Sequence, residues 1–202
     1  MAMPKTTSTA RQRGPIIVSR HGKPALDRTA GPRLSWQEYR DWWDRYEAGA
    51  LADDQIAPDR LKEAVADAAV VFASGRLRAQ QTAERAAPGH EISHDPVFNE
   101  APLPPPLLPG VKYLPKTWNV LARAVWLNGH ALDGESVKAA RQRAADAAAR
   151  LHEASEAGKV YLAAHGWFNR MLRPELKRLG WKCTYDGGDS YWSFRIYEYR
   201  EN

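Results

Sequence analysis

Short β-branched segments alternate with helical segments along this chain, and the alternation restricts the fold more than any other feature. Three apolar runs have the length and composition of buried strands, namely Pro15–Ser19, Ala69–Ala73 and Lys159–Ala164. Strands that are separated by helices are typical of a sheet whose neighbouring strands run parallel. We therefore predict an α/β protein with a largely parallel central sheet.

Helical patterns fill the intervals between these strands. Ser35, with Glu38 three residues later, resembles a capping box and predicts a helix that ends before Gly49. Six prolines between Ala101 and Pro115 exclude regular structure from that segment. The other predicted elements are helices over 58–66, 76–87, 134–157 and 167–179, a short helix over 117–127, a weak strand over 91–98 and a terminal strand over 191–199.

The chain of 202 residues is long enough for one ample core, so we predict a single domain over 14–202 behind a disordered basic tail over 1–13. No apolar run approaches the roughly 18 residues of a membrane span, and the tail lacks the apolar block of a secretory signal. Cys183 is the only cysteine, which excludes an intrachain disulfide and is typical of a reducing compartment. We expect a cytoplasmic protein with no membrane partner.

The net charge of +5 is compatible with a nucleic-acid partner. Three of the basic residues, however, are Lys5, Arg11 and Arg13 in the tail, which holds no acidic residue. The body that follows is close to charge balance, and no run of Lys and Arg within it forms a stripe for a phosphate backbone. We predict no nucleic-acid partner.

Polar groups of one character follow the predicted strands. The first strand runs into Arg20, His21 and Gly22, the second leads to Arg78, and the third ends at His165 and a second glycine. In parallel sheets, ligands bind outside the carboxyl ends of the strands, so these groups can meet in one crevice. Guanidinium groups fit phosphate oxygens, glycines allow close backbone approach, and a neutral imidazole can attack phosphorus. The pattern favours a phosphate monoester over a zinc or iron site, because Arg20 would repel a cation beside its histidine.

Four motifs in order resemble the histidine phosphatase superfamily in its phosphoglycerate mutase-like branch. They are Arg20-His21-Gly22, the run SGRLRAQQTA over 74–83, Gly134-Glu135-Ser136, and His165-Gly166. The resemblance spans most of the chain, from Ile16 to the last predicted strand. It implies a three-layer α/β/α fold and a covalent phosphohistidine, with no metal and no organic cofactor.

The resemblance also assigns roles to residues. His21 would be the nucleophile, and Arg20, Arg78, His165 and the backbone at Gly22 would hold the phosphoryl group. Glu100 stands where this branch usually keeps its proton donor, and Glu135 is either a second carboxylate near the pocket or a cap for the helix that follows. The glycine after His165 argues against the acid phosphatase and phytase branch, where an aspartate normally follows.

Departures from the family pattern fall directly after the first motif. Lys23 and Pro24 replace an acidic or amide residue and Ser or Thr, and Asp27 replaces the usual Asn, which would help to hold phosphate. Because the charge of Asp27 opposes that role, it either turns away or contacts a donor on the substrate. These changes argue against a glycolytic mutase.

The segment 101–129 is predicted to form a cap over the crevice, as the corresponding region does in the superfamily. Tyr113, Lys116 and Trp118 are its candidate specificity residues, together with Lys23 and Asp27. In the competing interpretation, Trp118 and Trp126, which lie eight residues apart on one helical face, both pack on the core.

The leading functional prediction is a cofactor-independent phosphomonoesterase that hydrolyses a phosphorylated small molecule or a phosphorylated protein. A phosphoglycerate mutase-type phosphoryl transferase would use the same pocket. A phosphate-binding module without turnover is the alternative outside the enzymes. The sequence does not name the substrate or predict an oligomeric state.

Overall fold

The computed structural model describes residues 13–130 and 134–200. Apart from Arg13, the predicted tail therefore lies outside the described residues. Arg13 itself is tied to the folded body, since its guanidinium donates to the carbonyl of His152 at 2.5 Å and pairs with Glu156 at 2.7 Å. Arg13 therefore belongs to the folded body.

One six-stranded sheet forms the centre of the molecule, with the strand order β3-β2-β4-β1-β6-β5. Strands β1 to β4 run parallel to one another, whereas β6 is antiparallel to both of its neighbours, β1 and β5. The predicted α/β fold with a largely parallel sheet is therefore confirmed. The strands are β1 Ile16–Arg20, β2 Val70–Ser74, β3 Ile92–Asp95, β4 Val160–Ala164, β5 Trp181–Asp186 and β6 Phe194–Tyr199.

Six α-helices accompany these strands in the described part of the chain: α1 Trp36–Ala48, α2 Asp59–Val65, α3 Leu77–Ala86, α4 Pro115–Leu127, α5 Val137–Ala154 and α6 Gly166–Arg178. The capping box of α1 is present, because Ser35 Oγ accepts from the Glu38 backbone and the Glu38 carboxylate accepts from Ser35 N at 2.6 Å. The proline at the start of α4 is tolerated, since the first helical N–H needs no partner within the helix.

Alternation along β1 divides the core into two halves. Ile16 and Val18 point into the apolar cluster formed with α5 and α6, while Ile17 points into the cluster formed with α2 and α3. Helices therefore cover both faces of the sheet, which gives the three-layer α/β/α arrangement. None of the helices in the two described stretches is long and apolar enough to cross a membrane.

The sheet differs from the prediction at its edges. β5 was not predicted, and the weak strand over 91–98 is two elements, because Asp95 accepts from Val97 N at 2.8 Å and begins a 3₁₀ turn at Pro96. The terminal strand begins at Phe194 rather than 191. Trp192 has a φ of +63°, and this left-handed residue interrupts an extended path between Tyr191 and the strand.

A third apolar cluster, formed by α1 and α4, lies beside the sheet. Trp118 is fully buried there against Tyr39 and donates from its indole N–H to the carbonyl of Leu34 at 2.7 Å. Trp126 is buried with Ala101 and Ala140. Both tryptophans are thus core residues that fix α4 to the body, and Trp118 lies outside the cavity wall, which speaks against its predicted specificity role.

Candidate active site

The carboxyl ends of β1 and β4 open into a cavity of about 530 Å³, a size typical of small-molecule sites. Of the predicted catalytic and phosphate-binding residues, the structure brings Arg20, His21, Arg78 and Glu100 to its wall. His165 is buried directly behind it, with its ring centre 5.1 Å from that of His21. The cavity wall contains six cationic residues and two acidic ones, so its charge favours an anionic ligand. The cationic residues are Arg20, Arg28, Arg78, Lys116, Arg123 and Arg170, and the acidic ones are Glu100 and Asp189.

His21 presents an unprotonated nitrogen to this cavity. Its Nδ1 lies 2.7 Å from the carbonyl oxygen of Gly22, and because a carbonyl only accepts, Nδ1 carries the proton. The neutral ring therefore keeps a lone pair on Nε2, which accepts from Arg78 Nε at 3.4 Å. Burial, and then the charges of Arg78 and Arg20, hold the pKa of His21 well below its usual value, so the ring is neutral at pH 7.

His165 has the opposite tautomer. Arg78 Nη2 lies 3.3 Å from its Nδ1, and since a guanidinium only donates, Nδ1 accepts and the proton sits on Nε2, which donates to Ser74 Oγ at 2.6 Å. Burial is the largest cause that lowers the pKa of His165 well below its usual value, followed by the charge of Arg78. Both histidines thus direct a lone pair toward one guanidinium.

Arg78, in the first turn of α3, uses all five of its N–H groups in these contacts. Two go to the histidines, and two more go from Nη1 to the carbonyls of Tyr46 and Glu47, at 2.9 and 3.0 Å. The fifth goes from Nη2 to the carboxylate of Glu47 at 2.5 Å. An entering phosphoryl group can replace the two long bonds to the histidines without disturbing the three short ones.

Glu47 was not predicted as a site residue. It is the last but one residue of α1, and its carboxylate is buried between Arg78 and Arg76, the latter at 3.1 Å. A glutamate near a helix end reads as a solvated charge in sequence, and only the contact with α3 across 31 positions reveals its place.

Arg20 is held at the cavity by the loop before β6. Its Nη1 donates to the backbone carbonyl of Asp189 at 2.6 Å, and its guanidinium lies 4.2 Å from the ring centre of Tyr191. Its buried Nε has no partner among the described residues. A Cβ on Gly166 would lie only 3.1 Å from that Nε, so the glycine after His165 leaves room for Arg20.

Gly22 has a packing role. A Cβ at this position would lie 2.5 Å from the indole of Trp192, which excludes any larger residue. Its backbone N–H donates to Thr82 Oγ1 at 3.0 Å. This donor is therefore already engaged, which speaks against the predicted phosphate contact at Gly22.

Glu100 lies in the cavity wall at the beginning of α6. One carboxylate oxygen accepts from Phe168 N at 2.8 Å and Ala101 N at 3.0 Å, and the other accepts from Trp167 N at 3.1 Å. Glu135 lies elsewhere, because it forms a double hydrogen bond of 2.7 Å with Arg143 and is outside the cavity wall. Ser136 caps α5 instead.

The predicted specificity residues are divided by the structure. Lys116 lines the cavity, as do other residues of α4, so the segment 101–129 forms part of the wall around His21. Tyr113 pairs with Leu34 as a β-bridge outside the wall, and Lys23 is exposed. Asp27 turns away from the cavity, since its carboxylate accepts from the backbone and hydroxyl of Thr29 at 2.7 and 2.6 Å. Arg28, which sequence reasoning missed, points into the cavity in its place.

Metal-binding geometry is absent from the described residues, since no group of three or more His, Cys, Asp or Glu side chains among them could hold an ion.

Solved structures with the same fold include several phosphatases. A phosphoserine phosphatase from Entamoeba histolytica, in complex with 3-phosphoglyceric acid, is 16% identical with a TM-score of 0.54, over 82% of this chain and 80% of that one. A putative alpha-ribazole-5'-P phosphatase from Escherichia coli is 18% identical with a TM-score of 0.53, over 83% and 80%. A mycobacterial glucosyl-3-phosphoglycerate phosphatase is 19% identical with a TM-score of 0.53, over 83% of each chain.

Identities at this level show a common fold. No curated protein matches the chain. A family model, however, matches residues 47–202, which include Arg78, Glu100 and His165, and this range covers most of the sequence. The chain therefore belongs to the histidine phosphatase superfamily, branch 1.

Proposed function

We propose that this protein is a phosphomonoesterase that hydrolyses a phosphorylated small molecule or protein through a phosphohistidine at His21. The observation that carries the proposal is the lone pair on His21 Nε2, which faces a buried guanidinium inside a cavity rich in cations. A nucleophile and an anion-binding group in contact are what in-line attack on phosphorus requires.

In the first step, His21 Nε2 forms a bond to phosphorus while the bond from phosphorus to the ester oxygen breaks. Arg20 and Arg78 donate to the phosphoryl oxygens, where negative charge is concentrated in the transition state. Glu100, the carboxyl group in the cavity wall, gives a proton to the departing alcohol oxygen. The products are the free alcohol and phosphohistidine.

In the second step, a water molecule attacks the same phosphorus atom. Glu100, now ionised, takes a proton from the water as the bond from phosphorus to Nε2 breaks. Inorganic phosphate leaves, and the ring of His21 is neutral again with its proton still on Nδ1. The hydrogen bond from Nδ1 to the Gly22 carbonyl fixes that tautomer through both steps.

Trapping the intermediate tests this proposal. An aryl phosphate with labelled phosphorus is mixed with the protein, quenched in base within milliseconds and mapped by mass spectrometry. We expect acid-labile label on His21, none in His21→Ala, and full labelling in the control His94→Ala, which alters an exposed histidine of β3. Label on another residue with His21 unmodified would contradict the proposal.

The same assay separates the alternatives. Steady release of inorganic phosphate supports the phosphomonoesterase. Transfer that depends on a bisphosphate primer supports a mutase, and binding of the aryl phosphate without label or release supports a module without turnover.

A further inference from the structure

The cavity extends beyond the phosphate-binding groups into an outer part with an apolar wall. Val120, Ala124 and Leu127 lie on one face of α4 and line it, opposite Trp43 of α1. Val120 is 64% exposed and Leu127 47% exposed, although both are large apolar residues. Apolar surface that lines a cavity and is left open to water is a binding surface for an apolar group.

Two further cations belong to the wall of the same cavity. Arg28 and Lys116 line it, and the backbone N–H of Lys116 donates to the carbonyl of Arg28 at 2.9 Å, which joins the loop after β1 to the first turn of α4. A second tie lies nearby, where Leu34 and Tyr113 exchange backbone hydrogen bonds of 2.8 and 3.0 Å. The main chain therefore joins the two segments that carry these cations.

The other cations of the cavity wall are engaged in two ways: Arg20 and Arg123 donate to backbone carbonyls, and two more have a carboxylate partner. Arg78 is paired with Glu47, and Arg170 with Asp189 at 3.0 Å. Asp27, the carboxylate adjacent to Arg28 in sequence, is bound to Thr29. Within the described residues, neither Arg28 nor Lys116 belongs to an ion pair. A second anion can therefore bind there without displacing a carboxylate of the protein.

We propose that the substrate is a phosphomonoester whose leaving group has an apolar, ring-sized body and a second anionic group. The body packs on the face formed by Val120, Ala124 and Leu127, and the anionic group binds Arg28 and Lys116. This inference rests on the proposed function, since it describes the part of the substrate beyond the phosphate. It makes small polar esters such as phosphoserine and 3-phosphoglyceric acid poor substrates for this chain.

Four esters test the proposal: phenyl phosphate, 2-naphthyl phosphate, 6-carboxy-2-naphthyl phosphate and 3-phosphoglyceric acid. In the unmodified protein we expect kcat/KM to rise from phenyl to naphthyl and again to carboxynaphthyl phosphate, by about tenfold at each step, with 3-phosphoglyceric acid last. Arg28→Ala and Lys116→Ala should each lower the ratio of carboxynaphthyl to naphthyl phosphate by about tenfold. Val120→Asp should lower the ratio of naphthyl to phenyl phosphate by about fivefold. Because each ratio compares the same two esters in both proteins, differences in leaving-group reactivity cancel.

Matched controls lie on the same segment. Lys112→Ala removes a lysine that pairs with Glu38, and Leu107→Asp charges an exposed leucine, and both residues lie outside the cavity wall. Both variants should leave every ratio unchanged. Unchanged ratios in the Arg28 and Lys116 variants would overturn the anion contact, and a preference for phenyl over naphthyl phosphate would overturn the apolar contact.

Failure of the proposed function gives a different result, in which no ester is hydrolysed. Calorimetric titration with 6-carboxy-2-naphthyl and 2-naphthyl phosphate then measures the same selectivity as a ratio of Kd values. A carboxyl preference that Lys116→Ala removes supports the inference, and equal Kd values for the two esters contradict it.

Discussion

The carboxylate of Glu47 lies 2.5 Å from Nη2 of Arg78, and this buried ion pair fixes the guanidinium that contacts both His21 and His165. Arg78 is 1% exposed and contacts His21 through Nε and His165 through Nη2. Glu47 also fixes Arg76 at the start of α3. The end of α1 therefore determines where the guanidinium of Arg78 lies.

Replacement of Glu47 should damage both stability and catalysis. Glu47→Ala leaves the Arg78 charge buried without its partner, a change that costs about 3–5 kcal/mol in the free energy of unfolding. Glu47→Gln keeps an acceptor for Nη2 and should cost less, while kcat/KM falls because Arg78 is held less firmly. Chemical denaturation and aryl phosphate hydrolysis measure the two effects.

Asp44→Asn is the matched control, since it neutralises an exposed carboxylate of the same helix. It should change neither measurement. If Glu47→Gln also behaves like the unmodified protein, the ion pair does not position Arg78.

Gly166→Ala should separate activity from stability. The new Cβ would lie 3.1 Å from Arg20 Nε and 3.3 Å from Cζ, so the guanidinium has to move by a few tenths of an ångström. Arg20 is fixed by the Asp189 carbonyl at 2.6 Å, and its displacement should raise KM and lower kcat/KM by about tenfold, or about 1.4 kcal/mol. The free energy of unfolding should change by less than about 1 kcal/mol, because Gly166 is the first residue of α6 and not part of its interior. A loss of stability that accompanies the loss of activity would show that the glycine is needed for the fold itself.

Much of the fold and of the inner site could be predicted because the signals are local. β1 begins with an apolar run, β4 is apolar throughout, and a histidine and a glycine follow each strand. α1 begins at a capping box whose two hydrogen bonds lie within four residues. Strand direction then places the groups that follow the strands at one edge of the sheet. That rule is sufficient to bring His21 and His165 together.

The residues that were missed depend on contacts between distant parts of the chain. Glu47 meets Arg78 across 31 positions, and Asp189 accepts from Arg20 across 169. β5 is an edge strand that is mostly exposed, so it lacks the apolar alternation that identifies a strand. Helical spacing left two interpretations of Trp118 open, a specificity residue and a core residue, and only the contact with α1 shows that its side chain is buried.

Glu100→Gln should affect esters according to their leaving groups. Poor leaving groups need a proton in the transition state, and general acid catalysis contributes roughly 10²–10⁴-fold, so phenyl phosphate hydrolysis should fall strongly. Nitrophenyl phosphate should fall much less, because nitrophenolate departs without a proton. Glutamine has one carboxyl oxygen fewer to accept from the backbone N–H groups of Trp167 and Phe168, so the variant can also disturb the start of α6. That structural effect would slow both esters, whereas loss of the proton donor slows only phenyl phosphate. Equal losses for both esters would show that Glu100 acts by holding the first turn of α6 and not as a proton donor.

The two neutral histidines should make stability depend on pH. Burial is the main cause that holds the pKa of His21 and of His165 well below 6.5 in the folded protein, whereas both rings titrate near that value in the unfolded chain. At a pH between the folded and unfolded pKa values, the unfolded chain binds more protons than the folded protein. The free energy of unfolding therefore falls as the pH decreases below 6.5, and above pH 6.5 the two rings give it no pH dependence. Each ring contributes a slope of up to about 1.4 kcal/mol per pH unit.

Denaturation of the unmodified protein and of the double variant His21→Gln, His165→Gln between pH 5 and pH 8 measures the difference. His152, whose pKa is also lowered by burial, is present in both proteins and cancels. We expect a shallower slope below pH 6.5 in the double variant, and parallel curves would show that the pKa values of the two rings are the same in the folded and unfolded states.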